Sequence, residues 1–196
     1  MEKSIAITAA PSDTGGTRTE FGYDRTVCSC AECVNNCRYI PGYLIPSDLG
    51  RIARRLGFTS LVEFASKYLL ASPGATVVQA GRVFQIPTLV ARRKEDGSCI
   101  FLDEHDRCRI HEVSPYGCAF FDAHQPDDEA QRRSGRGLQD IARHWAISPN
   151  THAYTVIWRL LYEAGLRAVP AQAARLRMLL SSADAEESEE GAASTQ

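Results

Sequence analysis

The stretch Cys28-Ser29-Cys30-Ala31-Glu32-Cys33-Val34-Asn35-Asn36-Cys37-Arg38 holds four of the chain's seven cysteines within ten residues. Cys30 and Cys33 are separated by two residues, a spacing that lets one tight turn aim two sulfurs at one ion. Cys37 follows after a gap of three. Soft thiolates favour zinc, copper(I) and iron–sulfur centres over magnesium or calcium. A redox Cys-x-x-Cys is the competing reading of the same pair, but it needs a βαβ surrounding, and residues 20–45 do not show one.

The other three thiols lie further along, in Cys99-Ile-Phe-Leu-Asp103-Glu-His105-Asp-Arg-Cys108-Arg-Ile-His111-Glu-Val-Ser-Pro115-Tyr-Gly-Cys118. Gly97-Ser98 and His105–Arg107 are turn material, and Pro115 and Gly117 bend the chain to present Cys118. All seven cysteines, Cys28, Cys30, Cys33, Cys37, Cys99, Cys108 and Cys118, are thus candidate metal ligands. Two partitions are open. Either the first four form a closed four-sulfur site and the last three another, or both clusters converge on a shared centre or two adjacent ions. Convergence is the favoured reading, because a metal joining distant segments fixes a fold with many loops. Structural zinc contributes on the order of 10–16 kcal/mol of apparent binding energy, more than the whole stability of a typical domain.

These residues resemble the YkgJ-type cysteine-cluster family, the zinc- or iron-chelating CxxCxxCC domain. Cys30, Cys33, Cys37 and Arg38 fall on its first motif, and Cys99-Ile-Phe-Leu-Asp103 on its second. Cys108-Arg-Ile-His111-Glu112 with Pro115 falls on its third, and Cys118 with Phe120 on its last. The resemblance covers roughly residues 28–122. It implies a chelating domain for zinc or iron; the irregular spacing and odd cysteine count also suit an iron–sulfur centre such as a [4Fe-4S] or [2Fe-2S] cluster. The chain departs from the family at Asn36, where the family has a cysteine, and the extra Cys28 is a candidate to replace it. His111, Ser114, Ala119 and Phe121 also differ from the family pattern. The motif is similar to one in flagellin lysine N-methylases, but the chain shows no dinucleotide-type glycine fingerprint, its Gly15-Gly16 pair lying in the expected leader.

Histidines 105, 111 and 124 are supplementary ligand candidates, with His111 foremost because it follows Cys108 by three residues. Asp103 and Asp122 are candidates to orient ligands, and Arg38 to offset thiolate charge. His144 and His152, flanking Trp145 and Pro149, read as packing or surface residues. Arg132-Arg133-Ser134-Gly135-Arg136 reads as a solvated basic loop.

The bulk numbers frame these motifs. The chain has 196 residues, 44% hydrophobic and 23% charged, with a net charge of −2, ordinary values for a globular protein. That balance gives no global field toward nucleic acid or an anionic membrane. No run of eighteen apolar residues reads as a transmembrane helix, and Met1–Ala10 lacks the length of a secretion signal. The expectation is a cytoplasmic protein, where seven thiols point to metal or redox chemistry and not to disulfides.

Residues 1–20 read as a flexible leader, 21–180 as one cysteine-cluster metal-binding domain, and 181–196 as an acidic disordered tail. The fold class expected is mainly α with a small β-hairpin and irregular cysteine-bearing loops (α+β). Helices are expected from Pro46 to Gly57, from Ser60 to Pro73-Gly74, and over 137–147, 150–165 and 170–181. Leu160 is expected to face inward in the 150–165 helix. The hairpin is expected at Val77–Val78 and Val83–Val90 about Ala80-Gly81, with Pro87 limiting its second run. Short extended pieces are expected at Ile100–Leu102 and Arg109–Ile110. Three functions stay open: a zinc-holding protein, an iron or iron–sulfur protein that carries electrons or assists an enzyme acting on a protein or peptide, and a thiol-redox protein without stable metal.

Overall fold

The computed structural model describes residues 21–23, 28–148 and 152–169. The expected leader, the acidic tail and the 170–181 helix lie outside the described residues. Within them are six α-helices and a three-stranded antiparallel sheet of order β1-β3-β2, an α+β fold as the sequence indicates.

The first cysteine cluster is helical, where an irregular loop was expected. Helix α1 spans Ala31–Tyr39, with Cys30 as its N-cap: the Cys30 thiolate accepts from the Cys33 N–H. A sulfur thereby does the work that Ser or Asp usually does at this position. Strand β1 (Tyr43–Leu44) follows, then α2 (Pro46–Arg55), which starts at the expected proline and ends before Gly57, at φ 78°. Leu49, Ile52 and Ala53 on its inner face are buried.

Helix α3 (Leu61–Tyr68) starts where expected, capped by Ser60 Oγ accepting from the Glu63 N–H. It stops at Tyr68, earlier than Pro73-Gly74, and the chain runs directly into β2 (Leu69–Gln79). Strand β3 (Arg82–Ala91) pairs back on it. Pro73 and Gly74 form an irregularity between Ser72 and Ala75, opposite Pro87. Pro87 therefore sits where the ladder is already broken and its missing N–H costs little, so β3 continues past it. The hairpin is long, and β1 covers only the Leu89–Val90 end of β3.

The segments 99–102 and 108–110 are not strands but are held by isolated bridges, Arg93 to Cys99 and Leu102 to Cys108. Helix α4 (Tyr116–Ala119) is one turn. Helix α5 (Asp127–Ala146) begins ten residues before the expected start and absorbs Arg132–Arg136, the expected basic loop. Ion pairs of Glu129 with Arg132 and Arg133, one turn apart, stabilise that stretch as helix. Helix α6 (Ala153–Glu163) buries Tyr154, Ile157 and Leu161, whereas Leu160 is exposed, contrary to expectation. Leu160 lies three residues from Ile157 but one from Leu161, so the stripe turns past it.

One buried carboxylate ties the layers together. Asp48 Oδ2 accepts from the Ile45 N–H (2.8 Å) and from the Tyr116 N–H (3.0 Å). Its Oδ1 pairs with the Arg51 guanidinium at 2.5 Å, which also donates to the Ser114 carbonyl at 3.1 Å. Helix α2 is thus fixed to the segment that leads to Cys118. The Tyr154 hydroxyl donates to the Leu44 carbonyl and accepts from the Leu89 N–H, both at 2.8 Å, joining α6 to β1 and β3.

Asp48→Ala removes the carboxylate paired with the buried Arg51 guanidinium and the acceptor of the Ile45 and Tyr116 N–H groups. The expected loss is about 3–5 kcal/mol of stability, read as a lowered midpoint in urea unfolding followed by circular dichroism.

Candidate metal centre

The seven cysteines are all free thiols; the structure gathers three of them with a histidine, and the other four act on one another electrostatically across the two sequence clusters. In the first group, Cys28, Cys30, Cys33 and His124 bring their donor atoms within 4.8 Å of one another. The Cys30 sulfur lies 3.0 Å from His124 Nε2. The Ala123 N–H donates to the Cys33 sulfur at 3.3 Å, and Cys33 is 5% exposed. The Asp122 carboxylate accepts the His124 N–H at 2.8 Å, which sets the turn that delivers the imidazole. Asp122 thus holds the backbone in place of the ring.

The electrostatics of this group favour a cation. The Cys33 N–H and His124 lower the Cys30 pKa to about 6. Cys33 receives the Ala123 N–H, which favours its thiolate, but desolvation and the neighbouring Cys28 and Cys30 sulfurs lift it to about 11. His124 is raised by its bond to Cys30. Close-packed thiols resist joint ionisation, and a bound cation reverses that balance by holding each as thiolate.

The donor set fits zinc or iron. Sulfurs about 2.3 Å from one zinc stand roughly 3.8 Å apart at tetrahedral angles. Four donors within 4.8 Å of one another need only a small contraction to reach that arrangement. Copper(I) shares the preference for sulfur, whereas magnesium and calcium take oxygen.

The second group joins Cys37 of the first sequence cluster with Cys99, Cys108 and Cys118. Burial first, then the charges of Cys99, Cys37 and Cys108, push the Cys118 thiol well up. Burial likewise lifts Cys99, which also feels Cys37. Cys37 is exposed as a residue, yet desolvation raises its thiol too. Arg93 and Lys94 offset part of the negative charge at Cys99. Among the described residues this group is not as tightly gathered as the first.

Two glycines make the second group possible. The Gly42 N–H donates to the Cys118 sulfur at 3.1 Å. A Cβ on Gly42 would lie 2.0 Å from the Gly117 carbonyl carbon, and one on Gly117 would lie 2.6 Å from the Tyr43 nitrogen. The two backbones cross with no room for a side chain. Arg38 does not face the sulfurs. It grips Asp106 through three hydrogen bonds of 2.6–3.1 Å, and its carbonyl accepts the Cys99 N–H at 2.8 Å. It fastens α1 to the loop before Cys108. Asp103 folds that loop by accepting the His105 and Arg107 N–H groups, each at 2.9 Å.

Of the three candidate histidines, His124 alone belongs to the gathered group. His111 sits in the short 3-10 turn His111–Val113 and is exposed, and His105 lies beside Glu104 at 3.7 Å on the surface. Spacing from Cys108 favoured His111, but the turn rotates it outward. The usable signal for His124 was its place six residues after Cys118.

A family model described as "CxxCxxCC: Putative zinc- or iron-chelating domain" matches residues 29–136. The chain belongs to the CxxCxxCC family. The match takes in six of the seven thiols and His124, and leaves Cys28 just outside. No curated protein and no solved structure matches the chain significantly. Among the described residues no helix is long and apolar enough to cross a membrane.

Gly42→Ala forces the crossing backbones apart. The expected result is a loss of about 1–3 kcal/mol from overpacking and loss of whatever metal Cys118 helps to hold, while the Cys28, Cys30, Cys33 and His124 group keeps its own. Metal content after gel filtration, with an unfolding curve, checks both.

Proposed function

We propose that this protein is a chelator carrying two metal centres side by side on α1. Cys28, Cys30, Cys33 and His124 hold one ion, and Cys37, Cys99, Cys108 and Cys118 hold the other. The observation that carries the reading is the gathering of three sulfurs and one imidazole nitrogen within 4.8 Å. Cys33 and Cys37 are one helical turn apart, so the centres stand about 6 Å apart along the helix axis.

The first centre is read as mononuclear zinc. Its donors crowd round one point, whereas an iron–sulfur cluster spreads its ligands over several irons. With four protein donors it has no open position, the mark of a structural or storage site. When bound, the ion supplies charge that keeps the thiolates ionised and binds the N-cap of α1 to the turn carrying His124. Cys28 takes the place of the cysteine that the family has where Asn36 stands.

A second reading applies to the other centre. Its four thiols range from buried Cys99 to exposed Cys37 and do not close round one point as the first group does, a setting that suits a [2Fe-2S] or [4Fe-4S] cluster as well as a single ion. In that case the protein carries electrons, or serves an enzyme acting on a protein or peptide. Seven free thiols fit a reducing compartment such as the cytoplasm.

The test is elemental analysis and an absorption spectrum on protein purified without oxygen and without an affinity metal column. Zinc at both centres without colour is the expected outcome of the first reading. Iron with sulfide and a band near 400 nm supports the second. Protein that holds neither zinc nor iron, even after reconstitution, overturns both.

A further inference from the structure

Beyond the end of the family match, α5 and α6 bring two histidines into contact, with a carboxylate one helical turn before the first. His144 lies on the last turn of α5, and His152 is the N-cap residue of α6, where its side chain makes no capping bond. Their Nδ1 atoms are 3.1 Å apart, with the rings 4.8 Å between centroids and nearly perpendicular at 82°. Two nitrogens bound to one ion at about 2.0–2.1 Å stand roughly 2.9–3.4 Å apart for angles between square and tetrahedral. The observed separation lies inside that range. Both rings are partly buried.

Asp140 stands one turn before His144 on the same face of α5, and its charge acts on that ring. Arg143 approaches the Asp140 carboxylate at only 3.9 Å, a loose pair that leaves oxygen lone pairs for an ion. Burial also keeps His144 below the ordinary histidine pKa, in the neutral form that a metal requires. Two imidazoles and a carboxylate are a borderline-hard donor set, chemically unlike the thiolates on α1.

We propose that Asp140, His144 and His152 form an accessory site for a divalent first-row ion such as zinc or nickel, with water completing the coordination. The ion joins the end of α5 to the start of α6. The site stands independently of the thiolate centres and does not need them to be correctly assigned.

Both tryptophans of the chain report on it. Trp145 follows His144, donates its indole N–H to the Pro87 carbonyl at 3.2 Å, and meets Trp158 edge-on at 5.4 Å. The test uses the full chain, with zinc supplied only to the level that the thiols retain against a chelator. Nickel is then titrated against tryptophan fluorescence. Saturable quenching in the wild type is expected, with affinity at least about tenfold weaker in His144→Gln and in His152→Gln, and weaker in Asp140→Asn. Thiolate-held zinc should be equal in all four proteins. Quenching that does not saturate, or that is unchanged in the variants, overturns the site and leaves a hydrogen-bonded histidine pair. If a histidine variant fails to fold, Asp140→Asn decides, because its partly exposed carboxylate can change without a packing loss. Unmoved histidine Nδ1 resonances in the wild type on addition of zinc would also overturn it.

Discussion

The Asp48 carboxylate is the constraint on which the arrangement of the thiols rests. It is buried, and it caps the start of α2 while holding the Tyr116 N–H sixty-eight residues further along. That grip places α4, and with it Cys118, against Gly42, where two backbones touch without an intervening side chain. Cys118 then feels the charges of Cys99 and Cys37, which come from two other segments. A buried charge pair costs desolvation energy and gives weak net stability, so its value here is positional: it fixes which carbonyls and N–H groups meet.

In the proposed arrangement helix α1 divides the cysteines. Cys30 at the cap and Cys33 in the first turn stand with Cys28 and His124, while Cys37, one turn on, acts on Cys99. A continuous loop could have turned all four sulfurs of Cys28–Cys37 onto one ion. In the helix Cys33 and Cys37 share a face but stand about 6 Å apart along the axis, and Cys37 acts electrostatically on Cys99 and Cys118. The Arg38–Asp106 grip and the Cys99 N–H to Arg38 carbonyl bond hold the two halves in register. The pair is partly exposed and contributes at most about 1 kcal/mol, so its role is alignment more than stability.

Much of this was legible in the residues. The family, the α+β class, α2 with its proline start, the Ser60 cap and the hairpin about Ala80-Gly81 follow from local signals that the structure keeps. The helical state of the first cluster was hidden because Cys-x-x-Cys reads as a turn and α1 has only a weak apolar stripe, with Cys33 its single buried residue. The length of β2 was hidden by Pro73-Gly74, which ends helices but here sits in a break opposite Pro87. The basic run Arg132–Arg136 looked like a loop because Gly135 and Gly137 interrupt it. Gly137 is bare because the Tyr116 ring and the Tyr43 hydroxyl occupy the space a Cβ would need. The crossing of Gly42 with Gly117 and the recruitment of His124 depend on contacts seventy or more residues apart, which no local pattern carries.

The claim of two centres divided by α1 is tested most directly by counting chelator-resistant metal in native mass spectra of wild type, Cys33→Ser, Cys118→Ser and the double variant, all reconstituted under argon. Two independent centres predict that each single variant keeps one centre and the double variant keeps neither. Loss of all chelator-resistant metal in each single variant would contradict the account and require one shared centre.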